Sequence, residues 1–370
     1  MLHRTLSVLA AFGVISLQSF AGTGNFFLPP VQSDAGSNPS YVVSADFNGD
    51  GIPDLAIVNG SDAMTSILVL AGVGDGTFQP YGKVEVSFPP RPWFSLQGLC
   101  AADVNNDGLA DLVTALGDVY LNLGDGTFQK VAELRGRNWD VVAAGDLDAD
   151  GNIDVVLSYT FGLWVFWGNG DGTFSSRFEI NGFTASGSGL FIGDFNNDGI
   201  LDVFKLSGNV GLDGLVAYGR ADRRLTWTRT MIFGESYDAA IGDFNGDGKL
   251  DVSAHLTGTV SRPRGFGVFF GTGEIGPPFP FRFIGDYEPY GSRGVKAGDV
   301  DGDGILDLIG KGFVNIGNGD GTFSEPIRFQ AGQFDGIETA DFNQDGWVDV
   351  ALINRAAGTV TVYLNAGRSE

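Results

Sequence analysis

Residues Asp46-Phe47-Asn48-Gly49-Asp50-Gly51-Ile52-Pro53-Asp54 decide the fold, because the chain writes this pattern seven times. Its form is Asp-x-(Asn/Asp)-x-Asp-Gly-x-x-Asp, and it restarts at Asp103, Asp146, Asp194, Asp243, Asp299 and Asp341. Oxygen acceptors at alternate positions around a glycine let a short loop wrap a hard cation. The starts lie 57, 43, 48, 49, 56 and 42 residues apart. A period of that size marks stacked or radially arranged supersecondary units. It overrides the two or three domains that 370 residues would otherwise suggest.

The flanks of the loop read as strands. Before each first Asp stands a small residue (Ala45, Ala102, Gly145, Gly193, Gly242, Gly298, Ala340), which implies close approach where inner strands crowd an axis. Loop position two is apolar in every copy: Phe47, Val104, Leu147, Phe195, Phe244, Val300, Phe342. After the last Asp comes a short β-type run such as Leu55-Ala56-Ile57-Val58 or Val155-Val156-Leu157. A third strand follows, as in Ser66–Leu70 and Leu163–Trp167. Then a tag, Gly-Asp-Gly-Thr-Phe, appears at Gly74, Gly124, Gly170 and Gly319 and signals a hairpin into a fourth strand. Units four and five carry degraded tags, Gly219-Arg220-Ala221-Asp222 and Gly271-Thr272-Gly273-Glu274. With no helical periodicity beyond the N-terminal segment, the chain reads as all-β: a seven-bladed propeller of four-stranded antiparallel blades. The last unit ends near Tyr363-Leu364-Asn365-Ala366-Gly367 without a fourth strand, whereas residues 24–36 resemble residues 321–332 of unit six. The N-terminal strand is therefore predicted to complete the last blade and close the ring.

The net charge is −23, from 45 acidic and 22 basic residues, and half of the acidic residues lie in the seven loops. Seven divalent ions would bring the charge to about −9. No basic stripe exists to displace counterions from phosphates, which excludes nucleic acid as a partner. Residues 1–21 read as a secretory signal: His3 and Arg4, an apolar run from Leu6 to Leu17, and Ser19-Phe20-Ala21 at the cleavage site. The alternative, an uncleaved anchor, needs about 20 apolar residues, more than this segment has. The mature protein, residues 22–370, is expected to be a soluble monomer, secreted to an extracellular or periplasmic space, with no membrane span after cleavage. Cys100, the single cysteine, lies in an apolar run and is expected to be a small buried residue.

With loops and period established, residues 22–370 resemble the FG-GAP/VCBS repeat family, whose relatives include the integrin α propellers. The Phe-Gly and Gly-Ala-Pro dipeptides of the older family name are absent, as is Arg-Gly-Asp, so the likeness is to the VCBS style. The resemblance implies that the loop joins the first and second strands of a blade and binds calcium. Carried over by position, the ligands in the first loop are Asp46, Asn48, Asp50, the Ile52 carbonyl and Asp54. In the second and third they are Asp103, Asn105, Asp107, Leu109 and Asp111, then Asp146, Asp148, Asp150, Asn152 and Asp154. The fourth and fifth give Asp194, Asn196, Asp198, Ile200 and Asp202, then Asp243, Asn245, Asp247, Lys249 and Asp251. The sixth and seventh give Asp299, Asp301, Asp303, Ile305 and Asp307, then Asp341, Asn343, Asp345, Trp347 and Asp349. Oxygen-only ligands on a flexible loop favour up to seven structural Ca²⁺ over Mg²⁺, and the lack of Cys or His disfavours Zn²⁺. Metal-free Asx turns are the alternative reading of the same loops.

Ring geometry gathers the remaining loops on the opposite edge. Arg91, Trp93 and Phe94, Arg137 and Trp139, Tyr237, Tyr287, Tyr290 and Arg293, and Phe334 lie there, with Arg262 and Arg264 in another loop. Flat rings with planar cations suit glycan or protein ligands, although such aromatics also cap the spaces between blades. This points to a non-enzymatic binding or cell-adhesion module. The alternative is a secreted sugar- or polysaccharide-modifying enzyme of lyase or dehydratase type. For that, Asp140, Asp238 and Asp335 open inner strands and could converge at the channel. His255 sits in a strand-like run, and no Gly-x-Ser-x-Gly or His-Glu-x-x-His motif is present. No catalytic residue is assigned.

Overall fold

The computed structural model describes residues 26–61, 64–86, 98–134, 139–159, 162–181, 189–206, 214–230, 239–256, 265–275, 280–285, 294–329 and 334–367. They form seven four-stranded antiparallel sheets, six of them ordered as the chain runs. After β1 (Val31–Asp34), blade 1 holds β2 (Pro39–Ala45), β3 (Asp54–Ser61), β4 (Met64–Gly72) and β5 (Phe78–Val86). Blade 2 holds β6 (Leu99–Ala102), β7 (Asp111–Thr114), β8 (Asp118–Asn122) and β9 (Phe128–Glu133). Blade 3 holds β10 (Trp139–Gly145), β11 (Asp154–Tyr159), β12 (Gly162–Gly168) and β13 (Phe174–Asn181). Blade 4 holds β14 (Leu190–Gly193), β15 (Asp202–Lys205), β16 (Gly214–Tyr218) and β17 (Thr226–Thr230). Blade 5 holds β18 (Ala239–Gly242), β19 (Asp251–Leu256), β20 (Gly265–Phe269) and β21 (Phe281–Gly285). Blade 6 holds β22 (Val295–Gly298), β23 (Asp307–Gly310), β24 (Phe313–Asn315) and β25 (Ile327–Arg328). Blade 7 is β26 (Gly336–Ala340), β27 (Asp349–Asn354), β28 (Thr359–Tyr363) and, from the other end of the chain, β1.

Closure follows the sequence-based expectation. Val31 pairs with Val362 and Asp34 with Thr359 in an antiparallel ladder. The ladder is extended by the Phe27–Asn365 bridge and by the Leu28 N–H on the Leu364 carbonyl at 2.8 Å. Two strand edges are thereby paired inside one blade and removed from solvent. First strands of neighbouring blades lie side by side, as β2 does with β6 and β26, and β10 with β6 and β14.

Second strands are buried on both faces, which is why they read as continuous apolar runs. Leu55, Ala56 and Ile57 of β3 and Val155, Val156 and Leu157 of β11 have no solvent exposure. The small residues before the loops do mark close approach, and the structure shows what approaches. A Cβ on Gly193 would lie 2.6 Å from Leu250 Cδ1, and one on Gly242 would lie 2.4 Å from Leu306 Cδ1. The neighbour is thus the eighth loop residue of the next blade, a packed side chain rather than backbone crowding. Cys100 on β6 is half-buried, not fully enclosed as expected, and desolvation pushes its thiol up to about 12. It is an unreactive thiol.

Candidate metal centres

All seven acidic loops join the first strand of a blade to the second, as β2 to β3 in blade 1 and β26 to β27 in blade 7. Counting from the first Asp, position six is a glycine with φ between +78° and +90° in every loop: Gly51, Gly108, Gly151, Gly199, Gly248, Gly304 and Gly346. Only glycine adopts that left-handed backbone without cost, and the turn brings the acidic side chains back over the loop. Its N–H then donates to the first Asp: Gly51 to Asp46 Oδ2 at 2.8 Å, Gly151 to Asp146 Oδ2 at 2.9 Å. Position five accepts from the N–H at position seven, as Asp50 from Ile52 and Asp345 from Trp347. At Asn48, Asn105, Asn196 and Asn343 of position three the side-chain amide donates to position five, as Asn48 Nδ2 to Asp50 Oδ2 at 3.0 Å.

Position nine has a second role that the spacing alone does not reveal. Asp54 is fully buried; Oδ2 accepts from Phe47 N–H and Oδ1 from Gly72 N–H, both at 2.8 Å. The same pair of bonds recurs at Asp111, Asp154, Asp202, Asp251, Asp307 and Asp349. The ninth residue therefore staples the loop to the end of the third strand. Its partners there are Gly72, Asn122, Gly168, Gly219, Gly271, Gly317 and Asn365. Their sequence signal is a Gly or Asn two residues before the tag glycine, as in Gly72-Val73-Gly74 and Asn122-Leu123-Gly124.

Each loop is also locked to the next blade. Position-two side chains are at most 1% exposed, and several meet the phenylalanine that ends the next tag. The ring pairs are Phe47 with Phe128 at 6.2 Å, Phe244 with Phe323 at 5.6 Å, and Phe342 with Phe78 at 5.6 Å. Their backbone carbonyls accept across the same seam. Val104 accepts from Gly172 N–H at 3.1 Å, Phe244 from Gly321 N–H at 2.9 Å, and Phe47 from Asn122 Nδ2 at 2.7 Å. Loop touches loop as well: Gln344 Nε2 donates to the Gly51 carbonyl at 2.7 Å, across the ring's closure. The tag, legible in sequence only as a turn, is the clamp between blades.

Burial dominates the electrostatics. It pushes Asp54, Asp111, Asp251 and Asp307 up to about 6, and Asp154, Asp202 and Asp349 up to about 7. Two N–H donors oppose that rise in each case, and neighbouring loop carboxylates add to it. A buried carboxylate beside others is costly unless a cation offsets it. In two loops, Asp146, Asp148 and Asp154, and Asp299, Asp301 and Asp307, three carboxylates bring an oxygen each within 4.8 Å of one another. That spacing allows them to share one ion. The donors are all oxygens, so the set fits a hard cation.

The opposite edge is less fully described. Arg91, Trp93, Phe94, Arg137, Tyr237, Tyr287, Tyr290, Arg293, Arg262, Arg264 and Asp238 lie outside the described residues. Trp139 opens β10 opposite Tyr159, beside a register shift. Phe334 is half-buried and packs against the cluster that holds Phe26, Phe27 and Ile337. Asp335 accepts the Arg355 N–H at 2.8 Å and faces its guanidinium at 3.6 Å, a turn-fixing role. His255 pairs with Phe266 in the β19–β20 ladder, and Asp140 lies within β10. Among the described residues no helix is long and apolar enough to cross a membrane.

Fold and site together define a seven-bladed β-propeller with an acidic loop between the first two strands of every blade. Residues 46–114 and 146–204 match the FG-GAP-like repeat. No curated protein matches the chain. The chain is similar over 89% of its length to 86% of an Agrocybe aegerita lectin solved for its recognition of non-reducing terminal N-acetylglucosamine, with TM-score 0.59 and 20% identity. It is similar over 93% of its length to 98% of BBS1N, solved in complex with ARL6DN, with TM-score 0.62 and 12% identity. At such identities the likeness is one of fold.

Proposed function

We propose that this protein is an exported, calcium-stabilised propeller that acts as a non-enzymatic binding or adhesion module for a glycan or protein ligand. One observation carries the reading: the two edges of the ring are built to different rules. On one edge the connection between first and second strands has the same length and the same acidic pattern in every blade. On the other, connections run from two residues at 62–63 to twelve at 87–98. A constant frame that presents unlike loops is how scaffolds separate stability from recognition.

The metal part of the proposal assigns one Ca²⁺ to a loop, held by the residues at positions one, three, five and nine and the carbonyl at seven. Oxygen donors, a left-handed glycine turn and buried carboxylates with raised pKa support calcium there. The ligand part draws on use of the same fold, since the lectin recognises non-reducing terminal N-acetylglucosamine and BBS1N is solved in complex with ARL6DN. Export rests on residues 1–21, which read as a signal. A glycan array probed with the mature protein, in calcium and in chelator, tests the reading. Binding that fades in chelator supports it. Turnover of a polysaccharide, with its products detected, would replace it with the enzymatic alternative.

A further inference from the structure

The tag of blade 4 keeps only the aspartate of the Gly-Asp-Gly-Thr-Phe pattern, and Arg223 is the replacement whose side chain reaches another blade. Aligned on the third-strand exit, Gly219 corresponds to Gly168, Asp222 to Asp171, and Arg223 to Gly172. The turn itself is kept: Asp222 Oδ1 accepts the Arg224 N–H just as Asp171 Oδ1 accepts that of Thr173. Arg223 even keeps the left-handed backbone, with φ +60° where Gly172 has +78°. An L side chain is disfavoured there, so the arginine occupies a costly position.

Its side chain reaches back into the acidic loop of blade 3. Nε donates to Asp148 Oδ2 at 2.5 Å and Nη2 to Asp150 Oδ2 at 2.6 Å. The guanidinium lies 5.7 Å from the centre of the Trp167 ring, with Ser175 Oγ at 3.4 Å from Nη1. The remaining oxygens of both carboxylates are also engaged: Asp148 Oδ1 by Asp150 N–H, and Asp150 Oδ1 by the Asn152 N–H. The Asp148 side chain is only 1% exposed. Asp148 is also one of only two aspartates at position three, where the other five loops carry Asn. Blade 3 therefore adds one negative charge to the loop and meets it with one positive charge from the next blade.

We infer that Arg223 is a built-in cation that stands where a divalent ion would otherwise be held, so that the blade 3 loop closes without calcium. This rests on the calcium reading of the other loops. Positions three and five each offer the oxygen that takes no backbone N–H, Oδ2, to one guanidinium whose Nε and Nη2 reach both. Asp146, Asp148 and Asp154 are spaced to share an ion, but Oδ2 of Asp148 and of Asp150 is already taken, so a divalent ion could use those two oxygens only by displacing the guanidinium. The acidic loop of blade 3 is then fixed to its neighbour by protein charge, independent of the calcium around it.

The test counts calcium bound per chain by native mass spectrometry on wild type and Arg223→Gly, which restores the residue the regular tags carry. The variant is expected to hold one ion more than wild type. Hydrogen exchange on unmodified protein gives a second readout that needs no variant to fold. Calcium should slow exchange in residues 46–54 and leave residues 146–154 unchanged, whereas in Arg223→Gly both segments should slow. Equal ion counts, with calcium protecting 146–154 in wild type, would overturn the inference and leave the calcium reading intact. No calcium on either protein would overturn both.

Discussion

The loops of blades 1 and 3 share a backbone and a staple but not a source of counter-charge. In blade 1 the Asn48 amide reaches Asp50 from within the loop at 3.0 Å. In blade 3 the partner of Asp150 is Arg223, from the neighbouring blade, at 2.6 Å. What is common belongs to the fold: the buried ninth Asp with one oxygen on the second residue and the other on the third-strand exit. What varies is the rim at positions three and five, where the sequence chooses between an amide, a carboxylate and a borrowed guanidinium. A repeat can therefore keep its architecture while changing how strongly each copy depends on an ion.

Calcium removal is the strongest way to break this comparison. An ion held only by the folded state stabilises by about 1.4 kcal/mol per loop at ten times its Kd and about 2.7 kcal/mol at a hundred times. Summed over several loops, chelation should lower the melting temperature well beyond any single substitution, and added calcium should restore it. Calorimetry with and without chelator measures this. A melting temperature indifferent to both would show that blade 1 closes as independently of calcium as blade 3.

Next in size are the staples. Replacing Asp54 by Ala leaves the N–H groups of Phe47 and Gly72 without their buried acceptor, and Asp154→Ala does the same to Leu147 and Gly168. Each should cost roughly 2–5 kcal/mol in denaturant unfolding. Near-equal losses in chelator would show that the staple is structural in both loops. In calcium, Asp54→Ala should lose more than Asp154→Ala, because only the first also removes an ion ligand.

Proton binding sharpens the contrast by a smaller amount. Burial raises Asp54 to about 6 and Asp154 to about 7, from an ordinary 3.8. A carboxyl whose folded pKa lies above its unfolded value favours the fold when protonated. That contribution is complete below about pH 4 and is lost as pH rises through 6 to 7. In chelator the melting temperature should therefore fall between pH 5 and pH 8. Carbon-13 carboxyl shifts in chelator should show both Asp54 and Asp154 titrating well above 3.8, and an ordinary value at either would show that burial does not govern that carboxyl.

The architecture was legible because its cause is repeated. Seven acidic loops, apolar second positions and a missing last strand near Tyr363 lead to seven blades and to closure by β1. The tags were legible as turns, but their clamp role was not. It depends on contacts between residues far apart in sequence, such as Phe47 with Phe128 or Gly172 with Val104. Arg223 was hidden for the same reason. An arginine in a degraded tag reads as decay of the motif until its guanidinium is seen against Asp148, 75 residues earlier. Gly193 and Gly242 taught a smaller lesson: a small residue signals that something is near without saying whether it is backbone or a leucine.

The finest test concerns position four, where blade 1 has Gly49 at φ +76° and blade 3 has Ala149 at φ +57°. A Cβ on Gly49 would meet only Leu109 Cδ2 at 3.4 Å, ordinary contact, so space does not decide the outcome. Backbone preference does. An L residue in the left-handed region costs about 1–2 kcal/mol, while replacing glycine regains about 0.4–1 kcal/mol by lowering the entropy of the unfolded chain. Gly49→Ala should therefore destabilise by roughly 0.5–1 kcal/mol, and Ala149→Gly should stabilise by a similar amount. Opposite signs of near-equal size, measured by denaturant unfolding in chelator, would show that the two loops share one backbone and differ only in what neutralises them. Ala149→Gly that destabilises instead would mean that the blade 3 loop is held in its own geometry by Arg223.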